Sequence, residues 1–380
     1  MIPYGRQSID DDDIAAVAEV LRSPWLTQGP AVSYLEQSLT EYTGAEYAVA
    51  VSSATAALHV SCLALGVGAG DIVWTSPNSF VASSNCALYV GADVDFIDID
   101  PLTRNICITA LENKLALAKL NGSLPKVIVT VHFAGLSCDM EKIRALADNY
   151  NVYVIEDASH ALGSEYLGQK VGGCHFSDIT VFSFHPVKNI AAGEGGAVLT
   201  NDTCLANKVR QYACHGITKD TAEFTLNDAS PCRYEQQMLG LNYRLSDLHS
   251  ALAANQLTKL DYFREVRAKR VARYNAAFAI DPIQTPVDSN DLIAWHIYVV
   301  TFEQREVRDR CFEHLKAKGI YANIHYIPIP AQPYYQAKGF DMASFPNADA
   351  HYQKSLTLPL FVDMTDSEQQ LVIETVKGVL

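Results

Sequence analysis

Five short apolar runs alternate with helical stretches over the first 157 residues, and this alternation narrows the fold more than any other feature of the sequence. The runs are Tyr47–Ser52, Asp71–Trp74, 93–97, 126–131 and 152–156. Between them apolar residues return at helical spacing, as in Ala56, Leu58, Val60 and Leu63, or Ala82, Cys86 and Leu88; helices are also expected near 109–120 and 139–149. Near-continuous apolar strands are buried on both faces, which happens when helices cover a mainly parallel sheet. The expected class is α/β, and in such sheets ligands gather at the carboxyl ends of the strands.

Ile179–Phe184 and Ala197–Thr200 read as two further strands, which brings the sheet to seven. Upstream, Ile9-Asp10-Asp11-Asp12-Asp13-Ile14 opens a helix, because acidic groups suit the positive end of the helix dipole. That helix stops at Ser23-Pro24. A loop, Pro24–Pro30, leads to a helix around Val32–Tyr42 that Gly44 can cap. Beyond Arg233 the pattern predicts a helix with Leu245, Leu248, Leu252 and Leu257 on one face, then a long helix to about Phe278. Trp295–Phe302 reads as a strand, Arg308–Lys318 as a helix and Tyr321–Tyr326 as another strand. We therefore expect a large cofactor-binding α/β domain over 1–255 and a smaller α+β domain over 256–380.

Charge narrows the partners. Lys and Arg number 29 against 43 Asp and Glu, a net charge of -14 that repels polyanions and argues against nucleic-acid or membrane-surface binding. Any phosphate must be held locally. The cysteines, at 62, 86, 107, 138, 174, 204, 214, 232 and 311, are odd in number and form no CxxC pair, so neither a disulfide framework nor a zinc ribbon is expected. The eleven histidines show no ligand spacing, which leaves a metal site without support. The segment Met1–Gln7 has no basic stretch followed by an apolar one, and no run is long enough to span a bilayer. The expectation is a cytoplasmic protein.

Four local features point to chemistry. Lys188 stands in a short irregular segment between two strands, after Pro186 and before Gly195-Gly196, where partial desolvation can leave its amine neutral enough to attack a carbonyl; an ordinary surface lysine would fit the same segment. Ser53-Ala54-Thr55 joins a strand to a helix N-terminus, where unpaired N–H groups and the dipole favour a phosphate; simple N-capping would use the same residues. Phe80 at the next strand-to-helix corner can lie against a planar ring or only fill the core. Glu156 and Asp157 end a strand, and a carboxylate there can keep a pyridine nitrogen protonated or cap the next turn.

In order along the chain, Leu26-Thr27-Gln28-Gly29, Ser53–Leu58, Gly91–Asp98, Glu156–Gly163, Ser183–Lys188, Glu194–Val198 and Gly240–Leu245 resemble the DegT/DnrJ/EryC1/StrS sugar aminotransferases, which belong to the fold-type I pyridoxal-phosphate enzymes. Ser159–Tyr166, Lys170–Gly173 and Ile324–Pro328 look most like the PseC branch of that family. That branch aminates C4 of a UDP-linked 2-acetamido-2,6-dideoxy-4-hexulose on the route to pseudaminic acid. The resemblance implies pyridoxal phosphate on Lys188 as an internal aldimine, with pyridoxamine phosphate as the intermediate form. It implies that Asp157 pairs with the pyridine nitrogen, that Phe80 stacks on the ring, and that His160 lies by the ring or its phenolic oxygen. Ala54, Thr55 and Ser183 would hold the phosphate or its surroundings. Asn242 would reach the site from a neighbouring subunit, so a homodimer is implied. Tyr4, Pro24, Trp25, Leu26, Thr27, Ser53, Asn242, His325, Tyr326, Ile327 and Pro328 match positions that line the nucleotide-sugar pocket. Gln often stands in the family where His160 does here, and Trp25 and Pro330 fall in pocket segments that vary among its members.

The expected reaction moves an amino group from glutamate to the sugar ketone, with Lys188 as acid and base and Asp157 keeping the ring cationic. The alternatives are an aminotransferase for another nucleotide-linked 3- or 4-keto sugar and a non-catalytic pyridoxal-phosphate-binding regulator. A related C3 dehydratase would carry His in place of Lys188, and a nicotinamide enzyme would show a GxGxxG after an early strand, which is absent.

Overall fold

The computed structural model describes residues 1–226, 233–287 and 289–380. Seven strands build the central sheet: β1 (Tyr47–Val51), β2 (Ile72–Thr75), β3 (Asp93–Phe96), β4 (Val127–Val131), β5 (Tyr153–Asp157), β6 (Ile179–Ser183) and β7 (Gly196–Thr200). Their spatial order is β1-β7-β6-β5-β4-β2-β3. The pairs from β6 through β3 are parallel, while β7 runs antiparallel to both of its neighbours. The reason lies in the connection. A parallel return needs a crossover, usually a helix, and segment 184–195 contains none, so the chain turns straight back beside β6.

Helices cover both faces. In chain order the helices include α1 (Asp11–Arg22), α2 (Pro30–Thr43), α3 (Ala54–Ala64), α4 (Ala82–Tyr89), α5 (Ile108–Asn121), α6 (Met140–Tyr150), α7 (Thr203–Ala213) and α8 (Asp247–Thr258), followed by α9 (Leu260–Phe278) and α10 (Arg305–Ala317) beyond this sheet. Strand alternation divides the core: Val127, Val129 and Ile155 pack with Leu58, Val60 and Val209, whereas Ile128 and Val154 pack with Leu111, Leu115 and Ile143 on the other face. Near β1 and β7 that second face is filled by Leu35 and Leu39 of α2 and by Ala253 and Leu257 of α8. Each fully buried leucine contributes about 1.5–3 kcal/mol by leaving water.

The leucine face expected over 245–257 is corrected. Helix α8 starts at Asp247 under a Ser246 cap, and its buried stripe is Asp247, Ser250, Ala253, Ala254 and Leu257, with Leu248 and Leu252 only half-buried. A carboxylate heads this stripe because α2 has no capping side chain of its own. Asp247 accepts hydrogen bonds from the Gly29 and Ala31 N–H groups at 2.8 and 3.0 Å. A Cβ at Gly29 would meet Trp25 Cβ at 2.5 Å and Asp247 Oδ1 at 2.6 Å, so only glycine fits that approach.

A second, smaller sheet is antiparallel: Ile283–Gln284, Tyr298–Phe302 and Ser355–Leu358, covered by α9, α10 and the helix Asp366–Lys377 around a core of Tyr298, Val300, Leu315, Leu356 and Val372. The strand expected over Tyr321–Tyr326 does not form. Only Asn323 bridges to Thr357, and the Asn323 side chain accepts the next N–H, of Ile324, at 2.8 Å, which competes with a ladder. Tyr298–Thr301 pairs with Ser355–Leu358, four buried residues that the sequence pattern did not single out. The eight described cysteines are unpaired, and Cys232 lies outside the described residues. No helix among the described residues is long and apolar enough to cross a membrane.

Candidate active site

A cavity of about 540 Å³ opens at the carboxyl ends of β4, β5 and β6. Its chemistry begins with strand ends. Side chains alternate along β5, so Glu156 and Asp157 point to opposite faces. Glu156 turns away from the cavity and is held by His132 Nε2 at 2.7 Å and Thr180 Oγ1 at 3.2 Å. The Cys138 N–H donates to His132 Nδ1 at 3.1 Å, which leaves the ring proton on Nε2 to be donated to Glu156. Asp157 faces the cavity. Its Oδ2 accepts from Ser83 Oγ and its Oδ1 from Ser159 Oγ, both at 2.6 Å, and Oδ1 also accepts the Ser159 N–H at 3.2 Å.

Lys188 reaches the same cavity from the turn between β6 and β7, where its N–H donates to the His185 carbonyl at 2.8 Å. The next residue fixes this turn: Asn189 Nδ2 donates to the Leu162 and Ala294 carbonyls at 2.8 and 3.2 Å. Lys188 is half-buried on the cavity wall, and the desolvation of its amine pulls its pKa down to about 8, partly opposed by the charge of Asp157. Because deprotonation yields the nucleophile, capture of an aldehyde by the cofactor-free protein is expected to accelerate as pH rises, with a midpoint near 8. Stopped-flow absorbance with pyridoxal phosphate between pH 6 and 11 checks this, and a midpoint near the ordinary lysine value would contradict it.

The first N–H groups of α3, at Ala54 and Thr55, have no intrahelical acceptor, while Ser53 Oγ takes the Ala56 N–H at 3.1 Å. Strand β7 runs close by. A Cβ at Gly196 would stand 2.6 Å from Ala54 N, so glycine keeps this corner open. His160 is buried, and burial first and the Lys188 charge second hold it well below the usual histidine pKa, so its ring is neutral. Its Nδ1 accepts from the Ala134 N–H at 3.3 Å, so its Nε2 donates to Tyr326 Oη at 3.1 Å and the Tyr326 hydroxyl keeps its own proton to donate. His325 is fixed by Thr357 Oγ1 at 2.8 Å, lies 5.4 Å from the Tyr4 ring, and is lowered to about 3 by burial and then by Lys188.

Of the residues singled out in the sequence, Tyr4, Ser53, Ala54, Thr55, Phe80, Asp157, His160, Ser183, Lys188, His325 and Tyr326 line this cavity. Pro24, Trp25, Leu26, Thr27, Asn242, Ile327 and Pro328 do not; Trp25, Leu26 and Ile327 are exposed. Thr27 instead bridges to Ser246, and Asn242 to Cys214. Sequence reasoning missed Ser83, Ser159, Asn189 and His296. His296 is buried in the cavity wall with its ring centre 4.4 Å from that of His160. Nothing local in the sequence marks Ser83, Asn189 or His296, and Ser159 is visible only as part of a motif segment.

A lowered lysine, a hydrogen-bonded carboxylate and an open helix N-terminus in one cavity fit a phosphorylated aromatic aldehyde, and its size falls in the range of roughly 300–1,000 Å³ usual for small-ligand sites. Residues 7–377 match the DegT/DnrJ/EryC1/StrS aminotransferase family. The chain belongs to that family. The DegT/DnrJ/EryC1/StrS chain is thus a fold-type I, pyridoxal-phosphate-dependent sugar aminotransferase. It is 37% identical over 386 residues to the spore coat polysaccharide biosynthesis protein SpsC of Bacillus subtilis, covering 100% of this chain and 97% of SpsC. Among solved structures it is similar to the pyridoxamine-phosphate form of Spr1654 from Streptococcus pneumoniae, described as a sugar aminotransferase, with a TM-score of 0.91, 30% identity and coverage of 100% and 99%. It is also similar to Helicobacter pylori PseC, an aminotransferase involved in the biosynthesis of pseudoaminic acid, with a TM-score of 0.90, 32% identity and coverage of 100% and 98%.

Proposed function

We propose that this aminotransferase moves an amino group from glutamate to C4 of UDP-2-acetamido-2,6-dideoxy-β-L-arabino-hex-4-ulose, as in pseudaminic acid biosynthesis. What supports this sugar is the likeness to PseC over the whole chain. The likeness to SpsC, a spore coat polysaccharide biosynthesis protein, favours the second reading, an aminotransferase for another nucleotide-linked 3- or 4-keto sugar. Pyridoxal phosphate, when bound, supplies the electron sink that lets an amino group leave one carbon and join another. Lys188 attaches it and moves one proton at Nζ, which its pKa of about 8 allows in both directions near neutrality. Asp157 would hold the cationic ring nitrogen, and Phe80 would pack against the ring. His160 would serve the phenolic oxygen. Ala54, Thr55 and Ser183 would hold the phosphate or its surroundings. Tyr4, Ser53, His325 and Tyr326 orient the sugar, the Tyr326 hydroxyl being free to donate. The division near residue 255 into a cofactor-binding part and a smaller carboxyl-terminal part belongs to the same proposal. So does a cytoplasmic location, which suits the unpaired cysteines.

In this reading the enzyme is a homodimer whose sites are shared: Asn242, Pro24–Thr27, Ile327 and Pro328, which this chain's cavity leaves out, belong to the site at the subunit boundary. Mixing inactive Lys188→Ala and Asn242→Ala dimers should restore about a quarter of the wild-type rate, since half of the randomly mixed dimers carry one intact site in two. No restoration after verified subunit exchange would contradict sharing. The substrate is tested by assaying glutamate-dependent amination across a panel of UDP-, dTDP- and GDP-linked 4-keto and 3-keto sugars. We expect the UDP-linked 2-acetamido-4-keto sugar to give the highest kcat/KM. Preference for a 3-keto sugar or for dTDP would overturn the assignment.

A further inference from the structure

The Asp157 carboxylate is held from a second segment far away in the sequence, at the corner that also carries Phe80. Ser83 Oγ lies 2.6 Å from Asp157 Oδ2 across 74 positions, and Ser79 Oγ lies 2.7 Å from Ser83 Oγ. An ionised carboxylate only accepts, so Ser83 spends its single hydroxyl proton on Asp157, and Ser79 must then donate to Ser83. The result is a one-way chain, Ser79 to Ser83 to Asp157, with all three groups buried. Ser159 fixes the other carboxylate oxygen through its hydroxyl and its N–H. Hydrogen bonds to a charged acceptor are about twice as strong as neutral ones, so this chain is well suited to set the rotation of the carboxylate plane. The same short segment carries Phe80, whose carbonyl accepts the Ser83 N–H at 3.2 Å and whose ring lines the cavity.

We propose that Ser83, backed by Ser79, is a positioning residue that fixes the Asp157 carboxylate in the orientation needed to hold the cationic nitrogen of the bound cofactor. The inference rests on the assignment of Asp157 to that nitrogen. Without the Ser83 hydroxyl, Oδ2 loses its anchor, the carboxylate rotates, and the pairing weakens. A protonated ring nitrogen repels a second proton on the nitrogen borne by Lys188, so weaker pairing lets that second site hold its proton to higher pH.

The test compares wild type with Ser83→Ala, Ser83→Thr and Ser79→Ala. It reads the dissociation constant of pyridoxal phosphate, the pH midpoint of the long-wavelength absorbance of the loaded protein, and kcat and KM separately. Ser83→Ala is expected to bind the cofactor about tenfold more weakly, to raise the midpoint by about one pH unit, and to lower kcat about tenfold with little change in KM. Ser83→Thr, which keeps the hydroxyl, should lie within about twofold of wild type, and Ser79→Ala should shift each readout in the same direction by less. A Ser83→Ala protein with unchanged cofactor affinity and unchanged midpoint overturns the role of Ser83 alone. A wild-type protein that never develops the band overturns the cofactor assignment of Lys188 and Asp157, and this inference with it.

Discussion

Replacing Lys188 with Ala is expected to abolish turnover, with a loss of about ten-thousand-fold in kcat and no loss of fold. The size follows from the two tasks that meet at one atom. In the proposed mechanism Lys188 Nζ is both the attachment point and the group that moves the proton, and among the described residues no second lysine lines the cavity to replace it. The fold should survive because the turn is held by Asn189 and by backbone bonds, neither of which involves the lysine side chain. Lys188→Arg is expected to fail equally, since a guanidinium keeps its proton at any working pH. Steady-state rates with circular dichroism and thermal melting check both variants, and a variant that turns over within about tenfold of wild type would contradict the assignment.

Asp157→Asn should lower kcat by about a hundred- to a thousandfold, the usual cost of removing one preorganised electrostatic partner from a closed site. The substitution keeps the shape. Ser83 and Ser159 can still bond to the new amide, so the local hydrogen bonds are redistributed rather than lost. What disappears is the negative charge. The effect should therefore appear with cofactor binding weakened but the melting temperature of the cofactor-free protein nearly unchanged. Full activity in Asp157→Asn would show that the ring nitrogen does not depend on this carboxylate.

The sequence was most legible where function sits in contiguous turns. Strand β5, ending in Asp157, and the irregular segment around Lys188 can be read directly, because strand runs and turn residues are local signals. The same holds for Ser53–Thr55 at the start of α3. Contacts made across the fold could not be read. Ser83 meets Asp157 over 74 positions and Tyr326 meets His160 over 166, and neither has a periodicity to announce it. The leucine face expected on α8 failed for another reason. Asp247 is buried there to cap α2, a tertiary demand that overrides the hydrophobic pattern. Over 321–326 a strand-like composition lost to a local side-chain bond at Asn323, which leaves a single bridge to Thr357. Pro24–Thr27 and Asn242 show the limit from the other direction, since they sit in motifs of the family yet do not line this chain's cavity.

The most direct test of the account is borohydride reduction of the cofactor-loaded protein, followed by peptide mass spectrometry to locate the phosphopyridoxyl group. The account places a single label on Lys188, lost if the protein is first converted with glutamate. A label on another side chain, or none, would contradict it.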